Sequence, residues 1–207
     1  MNTTKSTLLS KLDDYVQSLD FETIPKERKA VLQLLIDYVQ AKKDKGETIN
    51  LNFICTHNSR RSQFSQVWGK VAAYYYGVEI NSYSGGVEVT AFNERAVESI
   101  KRTGFEVSSV GEGNPNYSIF YSKSESPIIA FSKVFDDAAN ASSNFAAVMT
   151  CSHADENCPF IPGAEARLPI RYDDPKAFDD TPEEAEKYDE RSRQIATELF
   201  FVFSKIN

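Results

Sequence analysis

The stretch Leu51 to Ser62, LNFICTHNSRRS, constrains this chain more than any other. Apolar residues with a β-branched member (Leu51, Phe53, Ile54) run into Cys55, and a polar loop of Thr56, His57, Asn58, Ser59 and Arg60 leads to Arg61 and Ser62. Phe64, Val67, Trp68, Val71 and Tyr75 then recur at helical spacing, so the pattern predicts a strand, a tight loop and the N-terminus of a helix. Free backbone N–H groups and the positive end of a helix dipole hold oxyanions at such a place. They also favour the thiolate form of a cysteine, as do neighbouring arginines. The loop is therefore expected to present a nucleophilic sulfur beneath a phosphate-like anion, with the Arg61 guanidinium able to grip two oxygens. The bland alternative is that Cys55 is a small buried apolar residue; the strand before it and the helix after it argue against that.

With 207 residues, 41% of them apolar, the chain can bury the core of one domain with an appendage. Lys and Arg number 23 against 30 Asp and Glu, for a net charge of −7, which disfavours a nucleic-acid partner and makes any anion site local. No apolar run approaches the ~20 residues of a membrane span, and Met1 to Asp20 shows no signal-peptide pattern. A cytoplasmic protein without membrane partners is expected. Three cysteines, an odd number in a chain of this size, favour reactive thiols over a disulfide framework.

Leu8, Leu12, Tyr15, Val16 and Leu19 form one amphipathic stripe, and Leu32, Leu35, Ile36 and Val39 form another after Pro25, with Gly46 as the stop. Residues 1–48 are thus expected to be an N-terminal helical extension, and 49–207 the main domain. Within the latter, Val78 to Tyr83 reads as a second strand closing on Ser84-Gly85-Gly86, and Asn93 as the cap of a further helix. Residues 111–147 read as an insertion, with Tyr117 to Tyr121 and Pro127 to Phe131 as a β-hairpin. Phe145 to Thr150 is a buried-strand candidate ending in Cys151, and Cys158 follows after SHADEN. Zinc is disfavoured there, although His153 and Asp155 intervene, because the usual paired spacings are absent. Leu168 to Tyr172 reads as the last strand. It delivers Asp173 and Asp174 before Pro175, and either could be a general acid or a turn former. Thr181-Pro182-Glu183-Glu184 has the form of a helix start. No nucleotide-binding glycine loop occurs.

The segments FICTHNSRRSQFSQVW (53–68), YSGGV (83–87), TCSHADENCP (150–159) and YDDP (172–175) resemble, in order and approximate spacing, thioredoxin-coupled arsenate reductases of the low-molecular-weight protein tyrosine phosphatase superfamily. The resemblance implies a flavodoxin-like α/β domain: a short parallel sheet with helices on both faces, here joined by the N-terminal helical hairpin and the β-hairpin insertion. It implies Cys55 as nucleophile, Arg61 as oxyanion clamp, Ser62 as donor to the thiolate, Asn58 as organiser of the loop and Asp174 as general acid. Thr56, His57, Ser59 and Arg60 would complete the substrate-binding loop. Cys151 would attack the arsenylated Cys55 and expel arsenite, Cys158 would resolve the resulting disulfide, and thioredoxin would act as external reductant with no bound cofactor. The alternative is a phosphatase that hydrolyses phosphoesters, including phosphorylated proteins, through a phospho-Cys55 intermediate. A third is an oxyanion or redox sensor that signals through the N-terminal hairpin. The chain departs from the family at His57, where glycine is usual, at Arg60, which adds charge beside the substrate, and at Gln66, which stands in place of an acid associated with potassium in some relatives.

Overall fold

In the computed structural model residues 7–157 and 160–207 are described. The helical stripes at the N-terminus become α1 (Ser10–Gln17) and α2 (Lys26–Asp44), joined by a short turn of 3-10 helix at Phe21–Thr23 that the Asp20 carboxylate caps. Leu32, Leu35, Ile36 and Val39, at helical spacing, are all buried. Gly46, just past the helix end, takes a φ of 66°, a left-handed conformation that costs glycine nothing.

The main sheet is parallel, with β1 (Asn50–Cys55) flanked by β2 (Asn81–Gly86) and β6 (Phe145–Met149), and β7 (Ala164–Leu168) outside β6. Between β1 and β2 runs α3 (Arg61–Tyr75), and α4 (Glu94–Arg102) follows β2. A second, antiparallel sheet is built from β3 (Glu106–Val110), β4 (Asn116–Phe120) and β5 (Ile128–Ala130). The hairpin expected between residues 117 and 131 is therefore present as β4 and β5, with β3 added before it. α5 (Ser152–Asn157) follows β6, and α6 (Glu184–Phe203) closes the chain. This is the α/β, flavodoxin-like architecture.

β1 borders both parts of a divided core. Leu51 and Phe53 enter a large cluster with residues of α1, α2, α3, α4 and α6, while Ile54 and Cys55 enter a smaller one with Phe145, Ala147, Met149, Cys151, Ala154 and Ile161. The second face carries no long helix; α5 and the partly buried Phe135 and Ala141 of the segment before β6 cover it. Trp68 is fully buried at the centre of the large cluster. Its ring stacks on Tyr15 at 5.6 Å and meets Phe105 and Phe200 edge-on at 5.1 and 6.3 Å. Its indole N–H donates to Ser192 Oγ at 2.9 Å. One residue thus gathers α1, α3, α6 and the entry to β3. The N-terminal helices share this core: Gly104 has no room for a side chain because the Leu12 backbone N would lie 2.5 Å from its Cβ. Arg28 of α2 makes a two-pronged ion pair with Glu198 of α6, at 3.0 and 2.8 Å.

Three sequence readings shift. The last strand is β7 at 164–168; residues 169–172 are outside the ladder, although Tyr172 N–H still donates to the Thr150 carbonyl at 3.0 Å. β7 is a half-exposed edge strand reading AEARL, so its polar residues hide it from an apolar-run search. The second strand begins at Asn81 instead of Val78 and extends through the two glycines. Thr181 does not cap α6, because its hydroxyl donates to the Phe178 carbonyl, while Glu184 reaches back to accept from Asp180 N–H.

Because Leu12 is fully buried in the common core, Leu12→Ala is expected to lower stability by about 2–5 kcal/mol. Urea unfolding followed by Trp68 fluorescence measures this, and a change below ~1 kcal/mol would place α1 outside the cooperative unit.

Candidate active site

β1 ends at Cys55, and the loop that follows reaches α3 in five residues. Asn58 makes this tight path possible with a φ of 47°, a left-handed conformation that asparagine tolerates better than most residues. Its side chain is fully buried, and its orientation follows from its partners. Oδ1 accepts from Lys133 N–H at 3.0 Å, so Nδ2 is the atom that donates to Ser62 Oγ at 2.9 Å. Ser62 Oγ lies 3.1 Å from Cys55 Sγ. Having accepted from Asn58, the Ser62 hydroxyl keeps its hydrogen for the sulfur, which suits a thiolate. The start of α3 has no side-chain cap, so its first backbone N–H groups remain directed at the loop.

Gly86 lies against the same loop. A Cβ there would meet Asn58 N at 2.8 Å and Thr56 O at 2.9 Å, which accounts for glycine at the end of β2. Gly85 is crowded from the other side, where a Cβ would lie 2.3 Å from Phe135 Cα.

Arg61 reaches toward the C-terminal part of the chain. It donates to Asp174 Oδ2 at 2.7 Å and to the Tyr172 carbonyl at 3.2 Å, while its buried Nε has no hydrogen-bond partner among the described residues. An unsatisfied buried donor on that arginine is a place for an anionic oxygen. The two neighbouring carboxylates, equivalent in the sequence, now differ. Asp174 faces Arg61, whereas the Asp173 side chain is 94% exposed and only skirts Arg191 at 3.4 Å. Asp174 Oδ1 also accepts from Lys176 N–H at 3.1 Å, capping the 3-10 turn Pro175–Phe178.

Cys151 stands at the end of the neighbouring strand. β6 pairs with β1 through Ile54 and Met149, and Thr150 N–H donates to the Ile54 carbonyl at 2.7 Å, so the two cysteines leave adjacent strands at the same edge. Thr56 Oγ1 lies 3.5 Å from Cys151 Sγ and 3.3 Å from His153 Nδ1. Ala154 N–H, in the first turn of α5, points at Cys151 Sγ at 3.3 Å. Both sulfurs are buried and unpaired. Cys158 lies outside the described residues.

Two loop residues sit differently from the sequence expectation. Arg60 does not place its charge over the loop: Nε donates to the Tyr188 hydroxyl at 2.6 Å and Nη2 pairs with Asp179 at 3.1 Å, and these α6-side partners draw it away. His57 turns its ring outward, 3.4 Å from Glu88, and meets the rest of the loop through its carbonyl, which accepts from Ser132 Oγ at 2.9 Å. Ser59 spends its hydroxyl on the Ala91 carbonyl at 2.7 Å. Gln66 Oε1 accepts from the Ser84 hydroxyl at 2.5 Å, and its Nε2 donates to the Ile129 carbonyl at 3.3 Å. Sequence reasoning missed Ser132 and Lys133, which no periodicity or motif distinguishes, and which stitch the segment after β5 to the loop. Gln63 adds to that seam, its Nε2 donating to the carbonyls of Asn58 and Phe131 at 3.0 and 2.9 Å.

Ser62→Ala removes the one hydroxyl that reaches Cys55 in this network. Iodoacetamide alkylation of Cys55 near pH 6.5 should slow about tenfold or more, the equivalent of losing a hydrogen bond to a charged sulfur. An unchanged rate would remove Ser62 from that role.

No family model matches the chain. It is 32% identical over 123 residues to arsenate reductase 2 of Staphylococcus epidermidis, a match covering 59% of this chain and 76% of that protein. It is 30% identical over 132 residues to an arsenate reductase of Halalkalibacterium halodurans, covering 64% and 78% of the two chains. Its fold is similar to a crystal structure of a low-molecular-weight phosphotyrosine phosphatase from Vibrio cholerae, with a TM-score of 0.51 at 12% identity over 75% of this chain and 94% of that one. Among the described residues no helix is long and apolar enough to cross a membrane. With the cysteine loop, the parallel sheet and these relatives in agreement, the chain belongs to the arsenate reductase family of enzymes.

Proposed function

We propose that this enzyme reduces arsenate to arsenite through Cys55, Cys151 and Cys158. The observation that carries the reading is the second buried thiol beside the loop: Thr56 Oγ1 is 3.5 Å from Cys151 Sγ, and Thr56 follows Cys55 directly. A phosphatase needs one cysteine. A reductase needs a second within reach of the first.

In the first step the Cys55 thiolate attacks As(V) and displaces water from the protonated oxyanion, while the free Arg61 Nε and the N–H groups of α3 hold the remaining oxygens. Cys151 then attacks Cys55 Sγ. The sulfur–arsenic electron pair leaves with arsenic, so arsenite departs as As(III) and a Cys55–Cys151 disulfide remains. Cys158 attacks Cys151 Sγ and returns Cys55 to its thiolate, leaving a Cys151–Cys158 disulfide for an external dithiol, thioredoxin, to reduce. The last exchange requires 151–158 to rearrange. At present Asp155 ties α5 down, pairing with Arg167 at 2.8 Å and with Arg171.

A second reading, hydrolysis of phosphoesters through phospho-Cys55, is favoured by Asp174. Its carboxylate lies on Arg61 at the rim of the loop, where it could serve a leaving oxygen. Both reactions use Cys55, so the two are separated by Cys151.

The test is arsenate-dependent oxidation of reduced thioredoxin, run beside hydrolysis of p-nitrophenyl phosphate. Cys55→Ser is expected to abolish both, and Cys151→Ser to abolish the first while leaving the second within a few-fold. Arsenate turnover that survives Cys151→Ser would overturn the cascade.

A further inference from the structure

A cavity of about 400 Å³ lies beneath the loop, between α3, β2 and the hairpin, and no residue from 55 to 62 lines it. That volume is within the ~300–1,000 Å³ range of small-molecule sites. Its walls are mixed: Ile80, Tyr121, Ile128 and Phe131 are apolar or aromatic, while Gln66 and Asn140 are amides. Lys133 lines it as well, with only 4% of its surface exposed. Among the described residues its ammonium has no hydrogen bond and no ion pair; it lies 4.5 Å from the centre of the Phe131 ring, and Asp137 acts on it only through charge.

We infer that this cavity is a second binding site, for a small organic carboxylate with an apolar body, whose oxygens would meet the Lys133 ammonium. A buried cation held by an aromatic face alone, with no counter-charge in contact, is costly, and an anion arriving in the cavity lowers that cost. Burial pushes the Lys133 ammonium down to about 8, which still leaves it charged at neutral pH. The surroundings select a monoanion over a phosphate. The other lysine in the wall, Lys70, already donates to the Ile80 carbonyl at 3.3 Å, and Glu125 lines the same cavity. The aromatic wall accepts the rest of the ligand. The site goes beyond the reaction at Cys55, but it is connected to it: the backbone N–H of the same Lys133 holds Asn58 Oδ1.

Titration calorimetry at pH 7 tests the inference with phenylacetate as the probe and phenylacetamide as its neutral counterpart. Saturating inorganic phosphate keeps the Cys55 loop occupied. Phenylacetate should bind one to one and at least about tenfold tighter than the amide, as expected for a charge-assisted contact. That preference should vanish in Lys133→Met, a replacement of a buried charge by an apolar side chain that proteins generally tolerate; a thermal melt confirms the fold. Equal binding of acid and amide, an unchanged preference in Lys133→Met, no binding of phenylacetate at millimolar concentration, or its displacement by phosphate would each overturn the inference.

Discussion

The site depends on one chain of hydrogen bonds that begins just after β5 and ends on the Cys55 sulfur. Lys133 N–H fixes Asn58 Oδ1, Asn58 Nδ2 fixes the Ser62 hydroxyl, and that hydroxyl is left facing Cys55 Sγ. Each link determines the donor–acceptor sense of the next, because an amide whose oxygen is engaged by a backbone N–H has only its nitrogen left to give. The same asparagine carries the loop's left-handed backbone. Holding its side chain on both ends is how the fold sustains a conformation that an isolated peptide would rarely adopt. The residues beneath the loop thus orient the thiol and shape its surroundings together.

The parallel sheet brings two thiols to one edge. Neighbouring parallel strands run about 4.8 Å apart. β1 and β6 end together, so Cys55 and Cys151 emerge side by side without any long connection. α5 begins at once after Cys151 and aims Ala154 N–H at its sulfur, which holds the thiol ready but also holds it in place. The ion pairs from Asp155 to Arg167 and Arg171 oppose movement of this short helix. A helix of six residues has little stability of its own. The segment is held at both levels, by Cys151 and Ala154 in the smaller core cluster and by the Asp155 ion pairs outside it.

Local patterns in the sequence revealed much of this. Apolar spacing exposed α2 and α3, and the local structure around Cys55, Arg61 and Ser62 was legible because a strand, a polar loop and a helix stand in immediate succession. Contacts between distant segments were not legible. Asp173 and Asp174 differ only because Arg61 reaches one of them across 113 positions of chain. Arg60 looked like part of the anion site until Asp179 and Tyr188 drew it to α6. Ser132 and Lys133 lie in a stretch with no repeating pattern, and their partners are 75 residues away. Edge strand β7 escaped because half-exposed strands do not form apolar runs. The glycines at 85 and 86 were read as a strand end; the reason for them is the approach of the loop and of Phe135.

The proposed function requires that the second thiol complete a redox cycle. It is tested most directly by one turnover with arsenate and no external thiol, followed by mapping of disulfide-linked peptides by mass spectrometry. The expected products are a Cys151–Cys158 disulfide with Cys55 free, and a trapped Cys55–Cys151 disulfide in Cys158→Ser. An enzyme that remains fully reduced after exposure to arsenate, while it hydrolyses a phosphoester steadily, would contradict it.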